Sequence, residues 1–170
     1  FDMASDGLIS RMNGAPLNIV YVWDADYPWD VRAEKTCLAL TQAGHNVHLI
    51  ARNRRGAQII ERLPEATVHR MPRWRWVGRR LDAALGFPAF FNPRWHSLIA
   101  RTSIEERADV IIARDLPLCP AASRVGRSVG VPVILDMAEH EPARRLARGE
   151  TGSRRPRGWL IRNPRVVERV

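Results

Sequence analysis

The sequence predicts an α/β fold in which a doubly wound parallel sheet carries helices on both faces. Short apolar runs alternate with helical patterns along the chain, which is the order expected of successive βαβ units. The runs 17–23, 109–113 and 131–136 are almost continuously apolar. Such runs are typical of central strands that are covered on both faces. At 170 residues, the chain is long enough for one domain of this kind.

The elements of the first half follow a loose leader, residues 1–16, that has no apolar core of signal-peptide length. The first strand is predicted at 17–23, and a helix at 28–43 ends at Gly44, a residue common just after a helix. Strands are then predicted at 46–51 and 67–71.

The second half begins with a helix predicted at 92–108, for which Asn92 is the N-cap and Pro93 the first helical residue. It leads into the strand at 109–113. A further helix, 117–129, ends at Gly130 and precedes the last strand, 131–136.

The strands are predicted to lie in the Rossmann-like order 3-2-1-4-5, with right-handed crossovers. Ligands in such sheets bind beyond the carboxyl ends of the strands, where the chain reverses direction. The loops after strands one, four and five therefore form the expected cleft. They carry Asp24, Asp26 and Asp30, then Arg114 and Asp115, then Asp136, Glu139 and His140.

Each of these side chains has a structural alternative. Asp30, Asp115 and Asp136 are suitable helix N-caps, and Glu139 favours a helix N-terminus electrostatically. His45, His48 and His69 lie in or beside strands without an evident ligand partner, and they are assigned to structure.

Two features concern the surface. The net charge is +9, and residues 142–170 contribute nine arginines against Glu150 and Glu168, which favours anionic partners. The segment 71–80 interleaves arginine and tryptophan in Arg73, Trp74, Arg75, Trp76, Arg79 and Arg80. It is interpreted either as an amphipathic cover for the sheet or as an edge that binds an anionic membrane surface.

Cys37 and Cys119 match no metal-binding spacing, and no metal site is predicted. Cys37 is expected to be a buried, reduced thiol, which indicates the cytoplasm. Peripheral association with the inner face of the plasma membrane is a further hypothesis. The sequence contains no dinucleotide-binding, P-loop, zinc-peptidase or serine-hydrolase motif, so those enzyme classes are disfavoured.

Three stretches together resemble a known family: LNIVYVWDADYPWDVRAEKTCLALTQAGHNVHLIAR, ADVIIARDLPLCPAA and GVPVILDMAEHEP. In this order they are similar to the N-terminal domain of GT-B glycosyltransferases, specifically the large retaining family four. The resemblance covers about residues 17–170. It departs from the family pattern after the first strand, where many members have a glycine pair, and at Ala138, where many have a histidine. Glu139 and His140 are both candidates to replace that histidine.

The resemblance implies that this domain is the acceptor-binding half of an enzyme that transfers sugar from a nucleotide-sugar to a glycan, lipid-linked or small-molecule acceptor. No cofactor is expected in this half. The nucleotide-sugar is expected in a C-terminal domain absent from this sequence, so the fragment alone is expected to be inactive. The catalytic assignment is Asp136, Glu139 and His140. The acceptor-binding assignment is Asp24, Asp26, Asp30, Arg114 and Asp115.

Two other classes compete with this interpretation. A receiver-like signalling domain would use Asp24 and Asp26 to bind magnesium, but no lysine follows the fifth strand. A nonspecific nucleic-acid-binding module would use the charge of +9. The arginines concentrate in one tail, however, so no nucleic-acid partner is expected. The sequence leaves the donor, acceptor, linkage and oligomeric state open.

Overall fold

The computed structural model describes residues 14–28, 31–72 and 92–137. The chain divides into two compact units, Phe1–Asp136 and Met137–Val170, and all of the strands and helices below belong to the first. The strands are β1 (Asn18–Asp26), β2 (Asn46–Arg52), β3 (Ile60–Arg62), β4 (Thr67–Arg70), β5 (Val110–Arg114) and β6 (Val133–Asp136). The helices are α1 (Val31–Gln42), α2 (Pro93–Glu105) and α3 (Cys119–Val129), with a 3-10 turn at Leu116–Leu118 before α3.

The six strands form one sheet in the order β3-β4-β2-β1-β5-β6. Five of them are parallel and reproduce the predicted order, with β1 between β2 and β5 and with β6 beyond β5. The predicted α/β fold class is therefore confirmed. The strand β3, which was not predicted, pairs antiparallel with β4 at the edge of the sheet. It has only three residues and no apolar run, so periodicity gives no signal for it.

Two predicted strand boundaries were wrong, because backbone hydrogen bonds place the strand ends elsewhere. β1 continues to Asp26, so Asp24 and Asp26 lie within the strand and not in the loop after it. The last strand begins at Val133 instead of Val131. The N–H of Val131 donates to the Gly126 carbonyl, 2.8 Å away, and thereby closes α3.

The helix ends also differ from prediction. The helix predicted to begin at residue 28 is observed from Val31, and residues 29–30 lie outside the described ranges. α3 begins at Cys119 because a 3-10 turn occupies Leu116–Leu118. α2 ends at Glu105, before the predicted end at residue 108, because Arg107 adopts a φ of 50° and the helix cannot continue through it. The predicted N-cap is confirmed, since the side chain of Asn92 accepts a hydrogen bond from the Arg94 N–H.

The sheet has a core on each face, as alternation of side chains along a strand requires. On one face, Val20, Val22, Ile50 and Ile111 pack with apolar residues of α2 and α3, including Trp95 and Val125. On the other, Tyr21, Leu49 and Val68 pack with Ala33 and Cys37 of α1. Helices therefore cover both faces, and the predicted burial of Cys37 is confirmed. Among the described residues, no helix has both the length and the hydropathy that a membrane span requires.

Candidate functional site

The parallel strands bring their carboxyl ends to one edge of the sheet. β1 ends at Asp26 beside Arg52 of β2, and β5 ends at Arg114 beside Asp136 of β6. The predicted cleft residues Asp24, Asp26, Arg114, Asp115 and Asp136 are thus at or near this edge. The predicted residues Asp30, Glu139 and His140 lie outside the described ranges.

Three of the predicted side chains, Arg114, Asp115 and Asp136, come together with two aromatic residues of β1. The N–H of Asp115 donates to the carbonyl of Asp136 at 3.0 Å, which extends the β5–β6 ladder by one bond. The phenol of Tyr21 donates to Oδ2 of Asp136 at 2.9 Å. The guanidinium of Arg114 lies 5.5 Å from the ring centre of Trp23, and its Nε lies 3.9 Å from Oδ2 of Asp115.

Burial controls the protonation of Tyr21 in this group, which we call the Asp136 cluster: Tyr21, Trp23, Arg114, Asp115 and Asp136. Arg114 is only 4% exposed, so its charge acts in a poorly solvated environment. Burial, and then the hydrogen bond to Asp136, raise the pKa of Tyr21 well above its ordinary value, although the charge of Arg114 opposes the shift. Tyr21 is therefore a neutral phenol at pH 7, and its O–H donates a hydrogen bond to the Asp136 carboxylate.

The backbone of Asp115 is strained. Its φ is 63° and its ψ is 163°, a combination that is almost restricted to glycine. Such a conformation costs about 1–3 kcal/mol and is found mainly where the surrounding structure imposes it, often at functional sites. Asp115 occupies the N-cap position of the 3-10 turn, but its side chain does not cap that turn. The capping interpretation of Asp115 is therefore wrong.

Asp24 and Asp26 have other partners. The Asp24 carboxylate accepts a hydrogen bond from Nε of Arg52, whose guanidinium lies 5.7 Å from the ring centre of Trp95. Burial raises the pKa of Asp24, and Arg52 opposes that shift. Oδ1 of Asp26 accepts from the N–H of Arg54 at 2.7 Å. Asp24 thus connects β1 to β2, Asp26 connects β1 to the loop after β2, and these contacts are separate from the Asp136 cluster.

A pocket that the sequence did not reveal lies near the carboxyl end of β4. It encloses about 330 Å³, and its lining residues are Met71, Pro72, Pro93, Arg94, Ser97, Leu98 and Arg101. Arg94 donates to the carbonyl of Pro72 and so connects its two sides. The predicted membrane-surface residues Arg73, Trp74, Arg75, Trp76, Arg79 and Arg80 follow in sequence and lie outside the described ranges.

A second missed group consists of His48, His69 and Glu106. The two histidines were assigned to structure because each is isolated in the sequence. They lie on adjacent parallel strands, and Glu106 approaches them from the end of α2. Strand pairing of β2 with β4 could have placed the histidines together, but the position of α2 has no comparable sequence signal.

A model of the family described as "Glycosyl transferase 4-like domain" matches residues 30–170 of the chain. Comparison with curated protein sequences gives no significant match. Thirteen solved chains match significantly, and three of them are described below. Sucrose-phosphate synthase from Thermosynechococcus elongatus aligns with a TM-score of 0.56 and 11% identity, over 85% of this chain and 39% of that one. This chain therefore spans about two fifths of the synthase.

The C-terminal domain of a hydrogenase from Pyrococcus furiosus aligns with a TM-score of 0.48 and 16% identity, over 71% of this chain and 90% of that one. SsfS6, a glycosyltransferase from Streptomyces sp. SF2575, aligns with a TM-score of 0.40 and 16% identity, over 70% of this chain and 38% of that one. At these identities, the similarity to the synthase shows a shared fold.

Proposed function

The chain belongs to the glycosyl transferase 4-like domain family, and on that premise we propose that it is the acceptor-binding half of a sugar transferase. The enzyme transfers a sugar from a nucleotide-sugar to a glycan, lipid-linked or small-molecule acceptor. The nucleotide-sugar donor binds to a second domain, and this half requires no cofactor of its own.

The observation that carries the proposal is the Asp136 cluster at the carboxyl edge of the sheet. Acceptors of this class present hydroxyl groups, for which carboxylates are hydrogen-bond acceptors and guanidinium groups are donors. Asp115 and Asp136 supply the first kind of group, and Arg114 supplies the second. The strained backbone of Asp115 supports a functional role, because such strain concentrates where a ligand or substrate is positioned.

Asp136 is proposed as a catalytic residue together with Glu139 and His140, which follow it in sequence. The phenol of Tyr21 donates a hydrogen bond to Oδ2 of Asp136 and so fixes the orientation of that carboxylate. Tyr21 is therefore a positioning residue. Arg114 and Asp115 are proposed to bind the acceptor directly.

Asp24, Asp26 and Asp30 complete the proposed acceptor-binding set. The contacts of Asp24 with Arg52, and of Asp26 with the backbone of Arg54, support an indirect role that fixes the carboxyl ends of β1 and β2. These same contacts argue against the receiver-like alternative, because Asp24 already shares its charge with a guanidinium group.

A lipid-linked acceptor would bring the enzyme to an anionic membrane surface on its cytoplasmic side. The net charge of +9 supports this part of the proposal. So does the pocket near the end of β4, where apolar Met71 and Leu98 lie beside Arg94 and Arg101. That combination suits a ligand with an anionic group attached to an apolar body.

The donor assignment is tested by calorimetric titration of residues 1–170 with UDP-, GDP- and ADP-sugars. Asp115 and Asp136 make the edge acidic, and the sequence contains no phosphate-binding glycine loop. We therefore expect no binding in the micromolar range. Micromolar binding of any of these compounds would place the donor site in this half and reverse the proposed assignment.

The acceptor assignment is tested in an enzyme that also contains the donor domain. Asp136→Asn and Asp115→Asn are expected to lower kcat/KM for transfer at least tenfold, because each keeps the side-chain shape but removes the charge. Glu105→Gln is the matched control, since Glu105 is an exposed carboxylate on α2 that pairs with Arg101. Equal activity of all three variants would contradict the assignment.

A further inference from the structure

His48, His69 and Glu106 direct their polar atoms at one another. Nδ1 of His48 lies 3.3 Å from Nε2 of His69. Oxygens of the Glu106 carboxylate lie 3.7 Å from Nε2 of His48 and 3.8 Å from Nε2 of His69. One ligand atom from each side chain falls within 4.8 Å of the other two. We propose that these three side chains bind a divalent transition-metal ion, and that Zn²⁺ fits them best.

The separation of the two imidazoles suits tetrahedral coordination. With metal–ligand distances of about 2.0–2.2 Å, neighbouring ligand atoms around Zn²⁺ are roughly 3.3–3.5 Å apart. The two imidazole nitrogens already have this spacing. The 3.7 Å distance involves Nε2 of His48, whereas the 3.3 Å distance involves its Nδ1, so the carboxylate has to move toward Nδ1 for the three groups to share one ion. One ligand atom from each residue lies within 4.8 Å of the other two before that movement.

The proton chemistry of the group is compatible with a cation. A neutral imidazole has one donor nitrogen and one acceptor nitrogen. Nε2–H of His69 can donate to Nδ1 of His48 in the metal-free chain, and a metal ion would take the place of that proton. A metal ion takes a lone pair from each of the three groups. Burial lowers the pKa of both imidazoles, so both are neutral ligands at pH 7.

The scaffold holds the ligands in place. In the parallel pairing of β2 with β4, Ile50 is opposite His69, so His48 and His69 are diagonal neighbours on one face of the sheet. Glu106 is the C-cap of α2. The chain after it makes the two hydrogen bonds of a Schellman motif: Arg107 N–H to the Ile104 carbonyl and Ala108 N–H to the Ser103 carbonyl. The main chain at Glu106 is therefore fixed before any ion binds, and the negative end of the helix dipole adds to the attraction.

The site is separate from the Asp136 cluster. His48 lies in the amino-terminal half of β2, whereas the Asp136 cluster is at the carboxyl edge. The side chains of His69, His48 and Glu106 are 4%, 13% and 33% exposed, so an ion has access from the side of Glu106. Three protein ligands leave a fourth position for water or an external ligand. A metal ion here would connect β2, β4 and α2.

The test uses the full 170-residue chain without a polyhistidine tag, after removal of metal with a chelator. Titration with Co²⁺ is expected to produce the visible absorption of a tetrahedral ion and to saturate at one equivalent. Zn²⁺ is expected to displace Co²⁺. At a free concentration about a hundred times its Kd, Zn²⁺ should raise Tm by about 5 °C.

Glu106→Gln should weaken Zn²⁺ binding at least tenfold and leave the far-UV circular dichroism of the metal-free chain unchanged. His48→Gln should have a larger effect. If His48→Gln fails to fold, the result for Glu106→Gln decides. His96→Ala and Glu105→Gln, which change an exposed histidine and the neighbouring carboxylate, are controls that should bind like the parent.

Two results would overturn the proposal. One is a folded parent chain that shows neither the Co²⁺ absorption nor a Zn²⁺-dependent rise in Tm. The other is parental affinity in both Glu106→Gln and His48→Gln, because the ion would then bind to other histidines of the chain.

Discussion

The phenol of Tyr21 donates a 2.9 Å hydrogen bond to the carboxylate of Asp136, although their strands are not neighbours. Tyr21 lies on β1 and Asp136 ends β6, and β5 separates the two strands. The contact therefore joins the centre of the sheet to the proposed catalytic carboxylate. Tyr21 is fully buried, so its hydroxyl could not bind water if the Asp136 carboxylate were removed.

Tyr21→Phe is expected to lower the free energy of unfolding by about 1–3 kcal/mol, because it leaves a carboxylate oxygen without its donor. Asp136→Asn should cost less, since an amide oxygen still accepts from the phenol. Urea unfolding of the parent, both single variants and the double variant measures the coupling energy. Strictly additive effects would show that the hydrogen bond contributes nothing to stability.

Asp115→Gly is expected to separate stability from function. Glycine adopts the φ of 63° without strain, so the substitution should stabilise the chain by about 1 kcal/mol after the entropic cost of glycine in the unfolded state. In the enzyme with its donor domain, the same substitution should reduce transfer. Asp115→Ala is the control, because it removes the carboxylate but keeps the strained backbone.

The expected result is that both variants lose activity and that only Asp115→Gly gains stability. Chemical unfolding and transfer rates measure the two effects separately. A stability gain in Asp115→Ala as well would show that the carboxylate, and not the backbone, is the source of the strain.

The parallel core of this fold could be predicted from the sequence, because the apolar runs of β1 and β5 admit few alternatives. Gly44 and Gly130 marked two helix ends, and both adopt positive φ in the structure. β3 could not be predicted, because it depends on pairing with β4 and not on its own three residues. The end of α2 was missed for a similar reason. Arg107 takes a left-handed conformation that favours glycine, and only the local hydrogen bonds account for it.

The candidate site was predictable to the extent that the sheet order determines it. Once β1, β5 and β6 are placed side by side, Arg114, Asp115 and Asp136 must meet at one edge. The contribution of Tyr21 could not be predicted, since its hydroxyl reaches past β5 from an apparently apolar strand. The proposed metal site has no signal in the sequence, because it requires Glu106, whose position depends on how α2 packs on the sheet.

Gly126 allows α3 to approach β6. A Cβ atom at this position would lie 2.6 Å from the carbonyl oxygen of Val131 and closer still to Cγ2 of Val133. Gly126→Ala should therefore lower the free energy of unfolding by about 1–3 kcal/mol, despite the better helix propensity of alanine. Arg127→Ala is the control, because Arg127 is an exposed neighbour on the same helix and should change stability little.

Urea unfolding measures both variants. Val133→Ala in the Gly126→Ala background should recover only part of the loss, because the contact with the backbone of Val131 persists. A stabilised Gly126→Ala variant would show that α3 does not pack this closely on β6.

Cys37 is expected to make stability depend on alkaline pH. Burial, and then the charge of Glu65, raise the pKa of its thiol to about 12. The folded chain thus holds this proton more tightly than the unfolded chain, in which the thiol has a pKa of about 8.5. Its contribution to stability is complete below that pH and is lost as the pH rises toward 12. The loss is about 1.4 kcal/mol for each pH unit within the window.

The variant Cys37→Ala isolates this effect between pH 9 and pH 10.5, because burial raises the pKa of both Tyr21 and Tyr27, and both keep their protons in the folded parent and variant over that range. At pH 8 the parent should be more stable, since alanine leaves a small cavity. Between pH 9 and pH 10.5 that advantage should shrink by about 2 kcal/mol, as unfolding releases the Cys37 proton only in the parent. Urea unfolding at several pH values measures the difference. Cys119→Ala is the control for the loss of a thiol that is only partly buried. A constant difference for Cys37→Ala over the same range would show that folding does not retain the Cys37 proton.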